Sequence, residues 1–284
     1  MTGDRLFMAA ETAAQVEIAF AGGDGERTFP KRQRVAYPFH LGRALYLPGD
    51  PPGFCTVYLQ SCSGGIFQHD RLGISLAVGA RARAHVTTSA STVVHSMTDG
   101  HAEQSVRIVA GPGAVAEYLP DPLILFPATR LTSRVTVRAH PDASVVLSDS
   151  FLAHDPQGSG GVFDGFRSET RIETEAGDLL ATDRFTVEGR TVAAGQVGIQ
   201  SPMAMQATVM VVHRNDPGIA LEALRRAVPD GAAVFAGASL LPGGAGAWLR
   251  ALSNDAVALR RTIHDAWGAA RERLTGTRPG PRRK

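Results

Sequence analysis

Cysteine is scarce. Two residues, Cys55 and Cys62, in a chain of 284 cannot build a disulfide framework, so a reducing compartment is the default and the cytoplasm is the expected location. Lysine is just as rare: of 29 basic side chains only Lys31 and Lys284 are lysines, and 27 acidic residues leave a formal net charge of +2. A nucleic-acid-binding chain carries a large basic excess, so that class is set aside. Long apolar runs are also missing. No stretch reaches the roughly 18 residues that a membrane span requires, and acidic and polar groups interrupt residues 1–11, where a signal peptide needs an unbroken apolar run.

What the chain does have is turn chemistry. Thirty-one glycines and 17 prolines, with 44% hydrophobic and 20% charged residues, describe a packed globular protein made of many short strands. From residue 12 to 215 short segments alternate apolar and polar side chains with period two, as in residues 81–87, 105–109 and 135–139. Residues 170–174 and 179–187 flank Glu175-Ala176-Gly177-Asp178 and predict a hairpin. A dozen to fifteen such segments suit stacked antiparallel sheets, and no repeat of fixed period is evident.

The pattern changes over residues 216–276. Asn215 or Asp216 caps a helix with Pro217 at its first position and Gly218 to Arg226 following. Two strands, 232–241 and 248–252, enclose a Gly-rich turn. A longer helix starts at Ser253 or Asn254, places Val257, Leu259, Ile263, Trp267, Ala270 and Leu274 on one face, and ends at Gly276. Residues 277–284 are expected to form a mobile tail. The prediction is one mainly β domain over 1–284, with a small C-terminal αβ element.

Catalytic patterns are thin. There is no Gly-x-Ser-x-Gly elbow, no Walker-type loop and no His-Glu-x-x-His. Ser61-Cys62-Ser63-Gly64-Gly65 resembles a nucleophile loop, but no base is tied to it, and a tight turn using positive φ at the glycines accounts for it. His95 and His101, six apart across a turn at Asp99-Gly100, are weak metal candidates without zinc-type spacing, and no stably bound cofactor is expected. Asp149 and Asp183 stand in apolar strands where an isolated carboxylate is expensive. Either each is held in a structural ion pair, with Arg134 or Arg184 at hand, or they form a polar lining that passes a cation.

Three segments follow each other in a specific order: Gly64-Gly65 with Asp70-Arg71-Leu72, then Thr87-Thr88-Ser89-Ala90-Ser91, then Tyr118-Leu119-Pro120 with Ile124 and Phe126. With Leu147-Ser148-Asp149, Thr182-Asp183-Arg184, Ala236 to Leu240, Asp265-Ala266-Trp267 and Leu274-Thr275-Gly276, this order resembles the urease accessory protein family UreD, also called UreH. The chain departs from the family at Gln68-His69, where glycine is usual, so the φ tolerance of that turn must differ; Val93 and His95 also depart. The resemblance implies a non-enzymatic role: binding apo-urease and UreF, and through UreF the GTPase UreG, for nickel insertion. It implies strands wound in helical layers, and an internal tunnel proposed as the nickel route, whose lining by position would be Asp70, Ser91, Asp149 and Asp183. Oxygen ligands hold nickel loosely enough for transit, so nickel would be cargo and not a resident ion. For the UreF surface the candidates are residues 119–131 and the C-terminal helix. The alternatives are a freestanding nickel-binding metallochaperone using His95 and His101, and a hydrolase built around residues 61–70.

Overall fold

The computed structural model describes residues 14–22, 27–195, 203–280 and 282. Alternation sets its architecture. In the run from Arg130 to Ala139 every second side chain, from Leu131 to Ala139, is buried, so the strand offers one face to a core and one to solvent.

The strands are β1 (Val16–Ala21), β2 (Phe29–Val35), β3 (Phe39–Leu41), β4 (Cys55–Ser61), β5 (Arg71–Val78), β6 (Arg83–Thr88), β7 (Thr92–Val94), β8 (Ala102–Ala110) and β9 (Val115–Leu119). They continue with β10 (Leu123–Leu125), β11 (Arg130–Ala139), β12 (Ser144–Ala153), β13 (Gly165–Glu173) and β14 (Leu179–Val187). After a short helix, α1 (Gly189–Ala193), come β15 (Met205–His213), α2 (Pro217–Arg226), β16 (Val234–Leu240), β17 (Gly246–Ser253) and α3 (Ala256–Thr275).

From β4 to β13 the chain steps back and forth between two sheets, winding a flattened coil. One sheet runs β14-β13-β11-β8-β5-β1-β2 and the other β16-β17-β15-β12-β9-β6-β4-β3. Within the coil, neighbours are parallel: β5 with β8, β8 with β11 and β11 with β13 in the first sheet, and β4 with β6, β6 with β9 and β9 with β12 in the second. The mainly β, wound-layer fold is therefore present, but its pairing corrects the antiparallel expectation. Period-two alternation is the same in both pairing modes, so it cannot tell them apart. Antiparallel pairing is found at the ends, including the β13–β14 hairpin over residues 174–178.

The coil also has a repeat, carried by its turns. Residues 79–82, 111–114 and 140–143 stack: Arg81 N–H donates to the Pro112 carbonyl at 2.8 Å, His140 N–H to Ala110 at 2.9 Å and Ser144 N–H to Ala114 at 2.8 Å. Each turn ends in a buried alanine, Ala82, Ala114 or Ala143. The turns recur about every 30 residues.

Three apolar clusters hold the coil. One fills the space between the sheets around Val57, Leu76, Val86, Ile108, Val137 and Leu147. A second lies under β7 and β10 around Phe151, Phe163 and Phe166. The third joins α2 and α3 to the outer face of the second sheet through Val209, Val211, Leu224, Leu249 and Trp267. Asp216 caps α2, accepting from Ile219 N–H at 3.2 Å. The last helix starts later than Ser253 or Asn254: Asp255 is its cap, accepting from Val257 and Ala258 N–H at 2.8 and 3.1 Å, and Gly276 ends it at φ 76°.

The segment expected to be a mobile tail is docked where it is described. Gly280 is buried, its N–H donates to Asp50 Oδ1 at 3.2 Å, and the Arg282 guanidinium lies 4.8 Å from the centre of the Trp267 ring. Residues 281, 283 and 284 lie outside the described residues. Among the described residues no helix is long and apolar enough to cross a membrane.

Candidate functional site

The second sheet has a window, and proline makes it. β9 pairs with β12 only as far as Leu147, and β10 takes up the same edge at Phe151. Between them run Pro120, Asp121 and Pro122, which interrupt the strand because proline has no N–H to donate to a ladder. Ser148, Asp149 and Ser150 are left without a neighbour on that edge. Ser89 to Ser91 breaks the row in the same way between β6 and β7, as Cys62 to Gly65 does after β4. The three breaks stack and open a cavity of about 380 Å³. Exposed Ser61, Cys62 and Ser91 line its outer part, while Gln104, Ser133, Tyr118 and Asp149 line its inner part against the first sheet. Gly65, at φ 147°, permits the approach at the rim: a Cβ there would meet the Val93 carbonyl at 2.4 Å.

Asp149 is half-buried, with its open surface turned to the cavity. Its carboxylate accepts a hydrogen bond from Ser168 Oγ on β13. Burial pushes its pKa above the ordinary range and the nearby Asp183 adds to this, while Ser168 and Arg250 oppose it. Asp183 is paired with neither Arg134 nor Arg184, the partners suggested by proximity in sequence. Those bind Glu103 and Glu169, and Asp183 accepts from Arg250 Nη2 at 2.6 Å. The partner was not legible because it lies on β17, 67 positions away.

The structure thus brings Ser91 and Asp149 to one cavity and sets Asp183 behind Asp149. Asp70 lies elsewhere, closing its own turn by accepting from Phe67 N–H at 2.8 Å. His69 keeps the left-handed geometry of that turn at φ 66°, so the φ requirement survives the loss of glycine there. His95 and His101 are not brought together as ligands. The His95 ring stacks on Phe67 at 4.3 Å, and His101 Nε2 lies 3.0 Å from Glu103 Oε1. Among the described residues no three His, Cys, Asp or Glu side chains form a metal-ligand set. Ser61 and Ser63 are hydrogen-bonded to each other at 3.1 Å, and Ser63 donates to the Gly65 carbonyl, as the turn reading requires. In residues 119–131 Leu119, Leu123, Leu125 and Leu131 are buried, while Pro120, Pro122, Ile124, Phe126 and Pro127 are partly exposed.

A second polar centre was missed entirely. Glu117 on β9 is buried on every side and accepts from Arg271 Nε at 2.8 Å and Trp267 Nε1 at 2.9 Å, with His85 Nδ1 at 2.8 Å. Arg271 also donates to Asp50 at 2.8 Å, and Arg282 to the same carboxylate at 3.2 Å. Burial alone would raise the Glu117 pKa, but Arg271 and then His85 outweigh it and hold it at about 2. Burial lowers His85 to about 4 despite Glu117, so the imidazole is neutral at pH 7. This centre ties α3 and the chain end to the coil. One signal was available: Arg271 extends the i, i+4 row Leu259, Ile263, Trp267 on an otherwise apolar face.

The structure is a wound β coil with a polar window in its second sheet. Comparison with known proteins makes this specific. The sequence signature described as "UreD urease accessory protein" matches residues 12–284. The chain is 43% identical over 285 residues to "Urease accessory protein UreD 1" of Pseudomonas syringae pv. syringae (strain B728a), with 100% of each chain covered. It is 37% identical over 270 residues to "Urease accessory protein UreD 1" of Methylorubrum extorquens (strain PA1), covering 95% of this chain and 91% of that one. With "Urease accessory protein UreD" of Cenarchaeum symbiosum (strain A) it shares 30% identity over 262 residues, 91% and 92% of the two chains. This chain belongs to the UreD urease accessory protein family. Its role lies in urease maturation and is not enzymatic.

Proposed function

We propose that this chain is a cytoplasmic scaffold that binds apo-urease and UreF, and through UreF the GTPase UreG, and that nickel(II) on its way to the urease active site passes through its interior. The observation that carries the reading is the window in the second sheet with the Asp149 carboxylate at its inner end. Hydroxyl, amide and carboxylate oxygens line the inner part of the space, with the thiol of Cys62 at its outer part; oxygen ligands bind a divalent ion without the tight hold of several thiolates or imidazoles. A route has to release what it admits, so this weak donor set suits transit better than storage. The scaffold half of the reading is supported by β16, an edge strand without a charged residue, on which Phe235 is 72% exposed and Leu240 is exposed too.

The test is nickel content per urease active site after maturation with Asp149→Ala, Asp183→Ala and the parent chain, each co-purified with UreF to show that the scaffold still assembles. Loss of loading with assembly intact is the expected result. Full loading by both variants would remove the interior route and leave the scaffold alone.

A further inference from the structure

One cation spans the gap between the two sheets beside Asp149. Asp149, Thr208 and Arg250 are register partners on three neighbouring strands, β12, β15 and β17, so their side chains share one face of the second sheet. Two strand spacings separate Asp149 from Arg250, about 10 Å between Cα atoms. Across the gap, Ser168 and Asp183 reach in from β13 and β14 of the first sheet. The Arg250 guanidinium crosses this gap: Nη2 donates to Asp183 Oδ2 at 2.6 Å and Nε to Thr208 Oγ1 at 3.3 Å. It lies 4.7 Å from the centre of the Trp248 ring and 5.2 Å from that of Phe185. The side chain is 28% exposed, so part of it meets solvent, and its charge acts on the Asp149 carboxyl as well.

We infer that Arg250 is a resident counter-ion and gate: its guanidinium occupies the place between Asp149 and Asp183 that an entering divalent cation must take, and the ion passes only by displacing it toward solvent. The inference rests on reading the cavity as the nickel route. Guanidinium does not lose its proton in proteins, so the charge is removed only by moving the side chain. A fixed positive charge a few ångströms from a carboxylate weakens the binding of a second cation there. Two aromatic faces hold the resting position, and the long stem with its exposed end gives the guanidinium somewhere to go. At rest one of the two carboxylates is therefore already paired and the other lies beside a fixed positive charge, so the passage retains no ion. Its occupancy becomes an exchange of one cation for another.

The experiment measures nickel(II) retained by the full chain in equilibrium dialysis against nickel sulfate in a non-chelating buffer, with urease loading measured in parallel. Arg250→Met leaves both carboxylates without the resident charge and is expected to hold nickel at least about tenfold more tightly than the parent. Arg250→Lys keeps the charge and is expected to behave as the parent, and Asp149→Asn added to Arg250→Met abolishes the gain. Should Arg250→Met fail to fold, Arg250→Gln retains an N–H donor toward Asp183 without the charge and gives the same readout. If retention is unchanged in the uncharged variants while Asp149→Asn impairs urease loading, the gate is wrong and the route stands. If Asp149→Asn leaves loading intact as well, the route falls and the gate with it.

Discussion

Arg271→Met is expected to be the most damaging single substitution in the C-terminal layer. Arg271 is fully buried within α3 and bonds two carboxylates, Glu117 and Asp50, from separate parts of the coil. Its guanidinium also lies 4.1 Å from the centre of the Phe54 ring and 4.7 Å from that of Trp267. Methionine fills much of the volume but leaves two buried carboxylates short of a cation, and breaking a buried pair from one side costs about 3–5 kcal/mol. Unfolding entropy near 2.1 cal/mol/K per residue gives about 0.6 kcal/mol/K for a chain of this length, so the Tm should fall by about 5–8 °C. Thermal unfolding followed by far-UV circular dichroism measures this. The control is Arg226→Met, which removes an exposed i, i+4 pair with Glu222 and should move the Tm by less than about 1 °C. If the two variants melt together, the buried centre does not hold the layer and the reasoning fails.

Three further outcomes follow from the same geometry. The His85 pKa of about 4 in the fold lies below the 6.5 of an unfolded histidine, so the unfolded chain binds more protons between these values. Stability is therefore full above pH 6.5 and falls as pH drops toward 4, by about 3 kcal/mol; urea unfolding at stepped pH should show this slope, and His85→Gln should lack it. Asp149→Asn should raise the urea midpoint at pH 7 while lowering nickel delivery, because the fold raises that carboxyl's pKa and its ionised form strains the folded state; a lowered midpoint would contradict the sign. Arg282→Ala, which strips a donor from Asp50 and a cation from the Trp267 face, should cost about 1–2 kcal/mol; a mobile chain end predicts no change in unfolding at all.

Strand content, the β13–β14 hairpin and the cap at Asp216 were legible because each depends on neighbours in sequence: alternation, a Gly-containing turn, Asp before Pro. The coil was legible only through the family resemblance, because its repeat lies in short stacked turns such as Gly111 to Ala114 whose residues vary from one turn to the next. Ser91 and Asp149 were placed by resemblance, and the structure shows them in one cavity. The partner of Asp183 was misjudged because strand register, not proximity in sequence, chooses it: Arg250 reaches Asp183 across the gap between sheets. Pro120 belongs to the quoted motif, but its effect together with Pro122, opening the ladder beside Asp149, needs the neighbouring strand to be seen. Glu117 and Arg271 escaped notice because each is an ordinary charged residue until the fold buries both.

The most direct measurement is nickel per active site in urease matured with UreF, UreG and the nickel-delivery protein UreE, with this chain present, absent, or carrying Asp149→Asn. Omission should leave apo-urease while every other component remains folded, and the variant should assemble with UreF yet load poorly. Urease that acquires its full nickel complement without this chain would contradict the account at its root.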